Sequence, residues 1–220
     1  MRLSSYGDCR VIVWRLESEC SLLFVIQWPT NLLPCRNSTT PEIEPQITYR
    51  GHSGPVTAVA FSSSQDRLYS ASLDQTVHVW ALPPRERETY APYDPDLTLA
   101  TLEGHTDAIW DLAVIPLRVQ DENLLATASA DGTVKIWNTD RLDSPLRLSW
   151  KYNGTDSEEE EKDLPIPTSV SVCCSDMRKI VVAYDNSVVK LFDVETGKET
   201  LKLKSDETYG ACGRNSIGFS

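Results

Sequence analysis

Nowhere in this 220-residue chain does an apolar run approach the roughly 18 to 20 residues that a membrane-spanning helix needs. The most apolar stretch, Leu22-Leu23-Phe24-Val25-Ile26, is only a strand's length, and it lacks the basic start and small-residue cleavage site of a secretory signal. Basic charge is also scarce: 21 Lys and Arg stand against 32 Asp and Glu, a formal net charge of −11. Phosphate backbones would repel such a chain, which excludes nucleic acid as the main partner. Part of the imbalance is local, because the run Asp156 to Asp163 carries six acids and one base. Cys9, Cys20, Cys35, Cys173, Cys174 and Cys212 form no C-x-x-C pair. They read as buried free thiols in a reducing compartment, hence a cytoplasmic protein, with disulfides or zinc ligation as the alternatives. Asn37-Ser38-Thr39 and Asn153-Gly154-Thr155 match the glycosylation pattern but, with no secretory signal, read as chance.

What is present is an internal repeat. One unit runs Gly51-His52, VTAVAF, then LYSASLDQTVHVW ending at Trp80; a second runs Gly104-His105, AIWDLAV, then LLATASADGTVKIW ending at Trp137. Asp74 precedes Trp80 by six residues, and Asp131 precedes Trp137 by six. A third, degenerate unit reads PTSVSVCC and KIVVAYDNSVVKLFD, with Phe192 at the Trp position, Asn186 at the Asp position and no Gly-His pair. At the start, Asp8 and Trp14 keep the six-residue spacing, as in the closing strand of a preceding unit.

The segments are short, rich in Val, Ile, Thr and aromatics and bounded by turn residues, which predicts strands throughout. VTAVAF and IVVAY are apolar nearly end to end, the pattern of strands covered on both faces. Asp131-Gly132 predicts a tight hairpin, and Asp74-Gln75 a weaker one. With no amphipathic helix in view, the fold class is all-β.

These units resemble the WD-repeat family, with Trp80-Ala81 and Trp137-Asn138 departing from its closing Trp-Asp. The resemblance implies a partial β-propeller of about three four-stranded blades plus a remnant strand. It also implies one buried hydrogen-bonded set per blade: His52, Ser72, Asp74 and Trp80, then His105, Ser129, Asp131 and Trp137. Ser70 and Thr127 are the competing hydroxyls. His, Ser and Asp together also suggest a hydrolase triad, but a triad needs one exposed nucleophile and an oxyanion hole. A set that recurs at matched spacing is structural, so no catalytic residue, cofactor or metal is expected. His78, alone in mid-strand, reads as a packed or half-exposed position.

Three strings are similar to the striatin family in particular: PEIEPQITYRGHSGPV, the long connection YAPYDPDLTLATLEGHTDAIWDLA, and SADGTVKIWN followed by YNG and IPTSV. The connection stretches the Gly51 to Gly104 interval to 53 residues, against roughly 40 to 45 for an ordinary repeat. The similarity covers roughly residues 41–203 and implies a non-enzymatic scaffold, a regulatory subunit of protein phosphatase 2A that gathers germinal-centre kinases and Mob-like proteins. The family's coiled-coil and calmodulin-binding segments have no counterpart in this sequence, so those partners are not expected. A ubiquitin-ligase substrate receptor, or a truncated product without independent function, are the alternatives.

The organisation read from these signals is a remnant strand (1–14), an atypical linker (15–44), a WD blade (45–83) and an inter-blade insertion (84–96). A second blade (97–140), a strand with an acidic loop (141–167), a degenerate blade (168–203) and an atypical tail (204–220) complete it. Three blades and one strand do not close a ring, so the expected form is a curved partial propeller, marginal alone. Arg85, Arg87 and Tyr90 are candidate partner contacts, against the reading of a solvated spacer. Ser157, followed by four glutamates, fits an acidic-directed kinase site, against that of a solvated loop.

Overall fold

A computed structural model describes residues 10–15, 24–26, 44–64, 66–82, 95–116, 123–152 and 164–204. Three four-stranded antiparallel sheets and one three-stranded sheet follow each other along the chain. The first contains β1 (Arg10–Arg15), β2 (Phe24–Ile26) and β3 (Glu44–Arg50) in the order β2-β1-β3. The second is the meander β4 (Val56–Phe61), β5 (Arg67–Ser72), β6 (Val77–Ala81) and β7 (Thr98–Leu102). The third is β8 (Ile109–Pro116), β9 (Asn123–Ser129), β10 (Thr133–Asn138) and β11 (Leu146–Lys151). The last is β12 (Pro167–Val172), β13 (Lys179–Tyr184), β14 (Val188–Asp193) and β15 (Glu199–Lys204). A single 3-10 turn, Pro95–Leu97, is the one helical element among the described residues.

Sequence repeats and sheets are out of phase by one strand, which corrects the boundaries read from sequence. Glu44–Arg50, assigned mostly to the first clear blade, pairs with β1 in the preceding sheet. That blade takes its own outer strand from Thr98–Leu102, beyond the insertion. The stretch read as a linker, 15–44, contributes β2, which pairs with β1 on the side away from β3. A bulge recurs where the third strand of each blade meets the outer one: at Val13/Trp14, Val79/Trp80, Ile136/Trp137 and Leu191/Phe192. Trp14 thus occupies the register position of the two repeat tryptophans. A bulge leaves an extra residue unpaired and sharpens the local twist.

The hairpin turns share a second constraint. Gln75, Gly132 and Ser187 all have positive φ, at 73°, 77° and 63°, each just after the turn's Asp or Asn. Only glycine adopts that region without a Cβ penalty, roughly 1–2 kcal/mol for other residues. Gln75→Gly and Ser187→Gly are each expected to stabilise the chain by about 0.5–1 kcal/mol, less any gain in unfolded-chain entropy; chemical denaturation midpoints would measure it.

Blades join through apolar side chains and a few aimed polar contacts. Tyr69, Ala71, Val77 and Val79 of one blade pack with Ile109, Leu112 and Trp137 of the next. Thr57 donates to the Ile109 carbonyl at 2.7 Å, and Arg67 reaches the Thr139 carbonyl at 2.8 Å and Asp140 at 2.9 Å. Between the second and third blades, the Asp111 carboxylate accepts from Ser169 Oγ at 2.7 Å and from the Val170 amide at 3.0 Å.

Burial separates the blades. β5 and β9 are buried at almost every residue, whereas β13 and β14 alternate strictly between buried and half-buried. The expectation that IVVAY is covered on both faces is therefore corrected. Ile180, Val182 and Tyr184 pack toward the second blade, while Val181 and Ala183 face the half-open side. Nor do the paired cysteines sit buried in a strand: β12 ends at Val172, Cys173 is half-buried and Cys174 exposed, both as free thiols. The other four cysteines lie outside the described residues, as do Asn37 and Asn153.

Candidate functional site

In the first complete blade the polar set forms one continuous chain. Trp80 Nε1 lies 2.8 Å from Ser70 Oγ, which lies 2.8 Å from His52 Nε2, and His52 Nδ1 lies 2.8 Å from Asp74 Oδ2. An indole N–H only donates and an ionised carboxylate only accepts, which orients every link. Trp80 donates to Ser70, Ser70 to His52 Nε2, and the Nδ1–H of a neutral His52 to Asp74. The second blade repeats it, with Trp137 to Thr127 at 2.9 Å, Thr127 to His105 at 2.7 Å and His105 to Asp131 at 2.8 Å.

The hydroxyls in this chain are Ser70 and Thr127, which corrects the assignment to Ser72 and Ser129. Ser72 instead donates to the Gly54 carbonyl and accepts from the Asp74 amide. Ser129 does the same for the Asp107 and Ala108 carbonyls and the Asp131 amide. Both candidates in each strand lie on the same face, two residues apart. What selects between them is depth: Ser70 pairs across from His78, well inside the strand, where the imidazole and indole converge. Sequence reasoning also missed Thr76 and Thr133, each of which gives its amide and its hydroxyl to the turn aspartate. Their common place, two residues past each turn aspartate, was the available signal.

Each glycine before the histidine lets the backbone lie close to the tryptophan. A Cβ on Gly51 would meet Trp80 Cη2 at 2.9 Å, and on Gly104 it would meet Trp137 Cη2 at 3.2 Å. The degenerate blade has no such set. Val182 stands where the hydroxyl would be, Phe192 stacks on Trp150, and Asn186 accepts from the Val188 amide at 3.3 Å. Lys190, buried, pairs with Glu199 at 2.8 Å and lies 4.1 Å above the Tyr152 ring.

Burial alone would raise the pKa of Asp74, but hydrogen bonds from Thr76 and His52 outweigh it and hold the carboxyl down at about 2. Burial works against Asp131 in the same way; bonds from His105, Thr133 and the Thr106 amide push it well below the ordinary range. Burial also lowers the pKa of His52, against the pull of Asp74. Both kinds of group bind fewer protons folded than unfolded, so their stabilisation is complete at neutral pH and fades as pH falls. The melting temperature is expected to decline below about pH 6.5 and most steeply below about pH 4, the unfolded His and Asp values. Asp131→Asn should flatten the acid limb in a melting series across that range.

With Ser70 and Thr127 both fully buried, no substrate reaches either hydroxyl, and the His–Ser–Asp set works as a structural tie. His78 is buried, with its ring 4.1 Å from that of His52 and stacked on Trp80. Arg85, Arg87, Tyr90 and Ser157 lie outside the described residues. No helix among the described residues is long and apolar enough to cross a membrane.

The WD domain, G-beta repeat, family model matches residues 43–81 and 97–138. Human striatin-3 is 33% identical over 207 residues, which is 94% of this chain and 24% of that protein. Human striatin is 34% identical over 173 residues, 79% of this chain and 20% of its own length. Striatin-4 of Mus musculus is 32% identical over 176 residues, 80% and 22% respectively. The chain thus spans about a quarter of the length of the relatives it matches. A crystal structure of RRP9 WD40 repeats superposes with a TM-score of 0.53 over 71% of this chain and 40% of that one, at 14% identity, a likeness of fold alone.

Proposed function

Because this chain belongs to the striatin family of WD-repeat proteins, we propose that it is a non-enzymatic scaffold that holds other proteins in a signalling assembly. The observation that carries this reading is the striatin-like sequence across 94% of the chain, joined to blades whose hydroxyl, imidazole and carboxylate groups are spent on one another. Such blades offer a rigid frame, and partners meet the loops between strands. Family resemblance points to protein phosphatase 2A, germinal-centre kinases and Mob-like proteins, in the cytoplasm. We further propose residues 83–90, with Arg85, Arg87 and Tyr90, as a candidate partner contact and Ser157 as a candidate phosphorylation site.

The test mixes the purified chain with each of the three partners and follows complex formation by size-exclusion chromatography with light scattering. Co-elution with at least one, lost when Arg85, Arg87 and Tyr90 become alanine, is the expected result. Failure of all three, with binding to a cullin adaptor instead, would replace this reading with that of a ubiquitin-ligase substrate receptor. Failure with both would overturn the scaffold role for this chain.

A further inference from the structure

His78 has a buried Nδ1 with no hydrogen-bond partner, the only such side-chain nitrogen or oxygen among the described residues. A desolvated imidazole nitrogen without a partner is a rare and costly arrangement that calls for an explanation. The residue is 8% exposed. Its neighbours supply the rest of a donor set: one ligand atom each from His52, Asp74 and His78 lie within 4.8 Å of one another.

We propose that His52, Asp74 and His78 bind a divalent transition-metal ion of the zinc type, at a site specific to the first complete blade. Two imidazoles and a carboxylate suit zinc, at bond lengths of about 2.0–2.2 Å. Ligand atoms around a tetrahedral ion then sit roughly 3.3–3.5 Å apart, so His52 Nδ1 and Asp74 Oδ2, 2.8 Å apart, must spread to admit the ion while His78 closes in from within 4.8 Å.

The ion would take the place of the proton between His52 Nδ1 and Asp74. That proton moves to His52 Nε2, which then donates to Ser70 Oγ. Ser70 accepts from both His52 and Trp80 and its own hydroxyl hydrogen must turn away from Nε2, so the tautomer changes but the proton count does not.

The second blade is a built-in control. It holds the same His105–Asp131 pair, but at the place of His78 it carries Lys135, whose ammonium points to Ser149 Oγ at 3.4 Å. Lys190 fills the same place in the degenerate blade. A lysine offers a positive charge where a cation would bind, so neither blade can complete the set.

Titrating the full chain with Zn2+ by calorimetry, and with Co2+ by visible absorption, tests the site. One tight equivalent is expected, with a cobalt spectrum of nitrogen and oxygen ligation. The heat should be equal in buffers of different ionisation enthalpy, since no proton is released. His78→Lys, the residue the other blades carry, should fold and bind at least a hundredfold more weakly. Lys135→His should raise the stoichiometry from one to two, a gain that no loss of folding can mimic. Equal binding by wild type and His78→Lys, thiolate charge-transfer bands in the cobalt spectrum, or no binding at all would overturn the proposal.

Discussion

Replacing Trp137 with alanine is expected to cost about 3–5 kcal/mol, a fall in melting temperature on the order of 10 °C for a chain of this size. The indole is 1% exposed and sits in the seam between the first and second complete blades, against Tyr69, Val79 and Leu112. Its loss opens a cavity that strands on both sides resist filling, because each is tied into its own ladder. The truncation also removes the donor to Thr127, leaving that buried hydroxyl one bond short. Trp137→Phe separates the two effects, since it keeps much of the volume and removes only the donor. The degenerate blade indicates how that loss is tolerated: Phe192 stands at the tryptophan position and Val182, which needs no donor, at the hydroxyl position. Thr127→Val combined with Trp137→Phe should therefore cost less than the two single changes added together. Urea denaturation of the four proteins closes this cycle, and strict additivity would show that the indole–hydroxyl bond is not the coupling.

Asp131→Ala is the second large loss, at about 3 kcal/mol or more. This one carboxylate accepts from His105 Nδ1 at 2.8 Å, the Thr106 amide at 3.1 Å, the Thr133 amide at 2.9 Å and the Thr133 hydroxyl at 2.6 Å. Alanine leaves the imidazole N–H buried without an acceptor, and a chain of bonds that ends at Trp137 loses its anchor. The penalty exceeds what exposed surface pairs are worth, because most of these donors are shielded from water that could replace the acceptor. Asp131→Asn should lose less, since its amide oxygen still accepts from Thr133. Native-state hydrogen exchange would locate the damage: amides of Ile109–Pro116 and Thr133–Asn138 should lose protection before those of Val188–Asp193. Uniform loss across all three blades would mean that the carboxylate sets global rather than local stability.

Much of this was legible in the residues alone. Short β-rich segments, the Asp-to-Trp spacing and the Gly-His pairs are local features, and local features specify strand, turn and repeat. The types of residue in the buried chain were legible for the same reason, since His, Asp and Trp recur at matched positions. The third blade's departure was visible too, through Phe192 and Asn186. Ser72 and Ser129 are not distinguished from Ser70 and Thr127 by sequence, because two hydroxyls on one strand face look alike until a partner strand and a loop are brought against them.

The sequence by itself therefore determined the repeated all-β architecture and the chemistry available to each blade, because strand alternation and turn preference act over a few residues. Tertiary structure alone decided that blades and repeats are offset by one strand, since an outer strand is assigned by which ladder it joins, not by its own composition. It likewise decided which hydroxyl is deep enough to meet both imidazole and indole. And only cross-strand packing put His78 against His52, where a residue that looks solitary in the chain becomes the third member of a donor set.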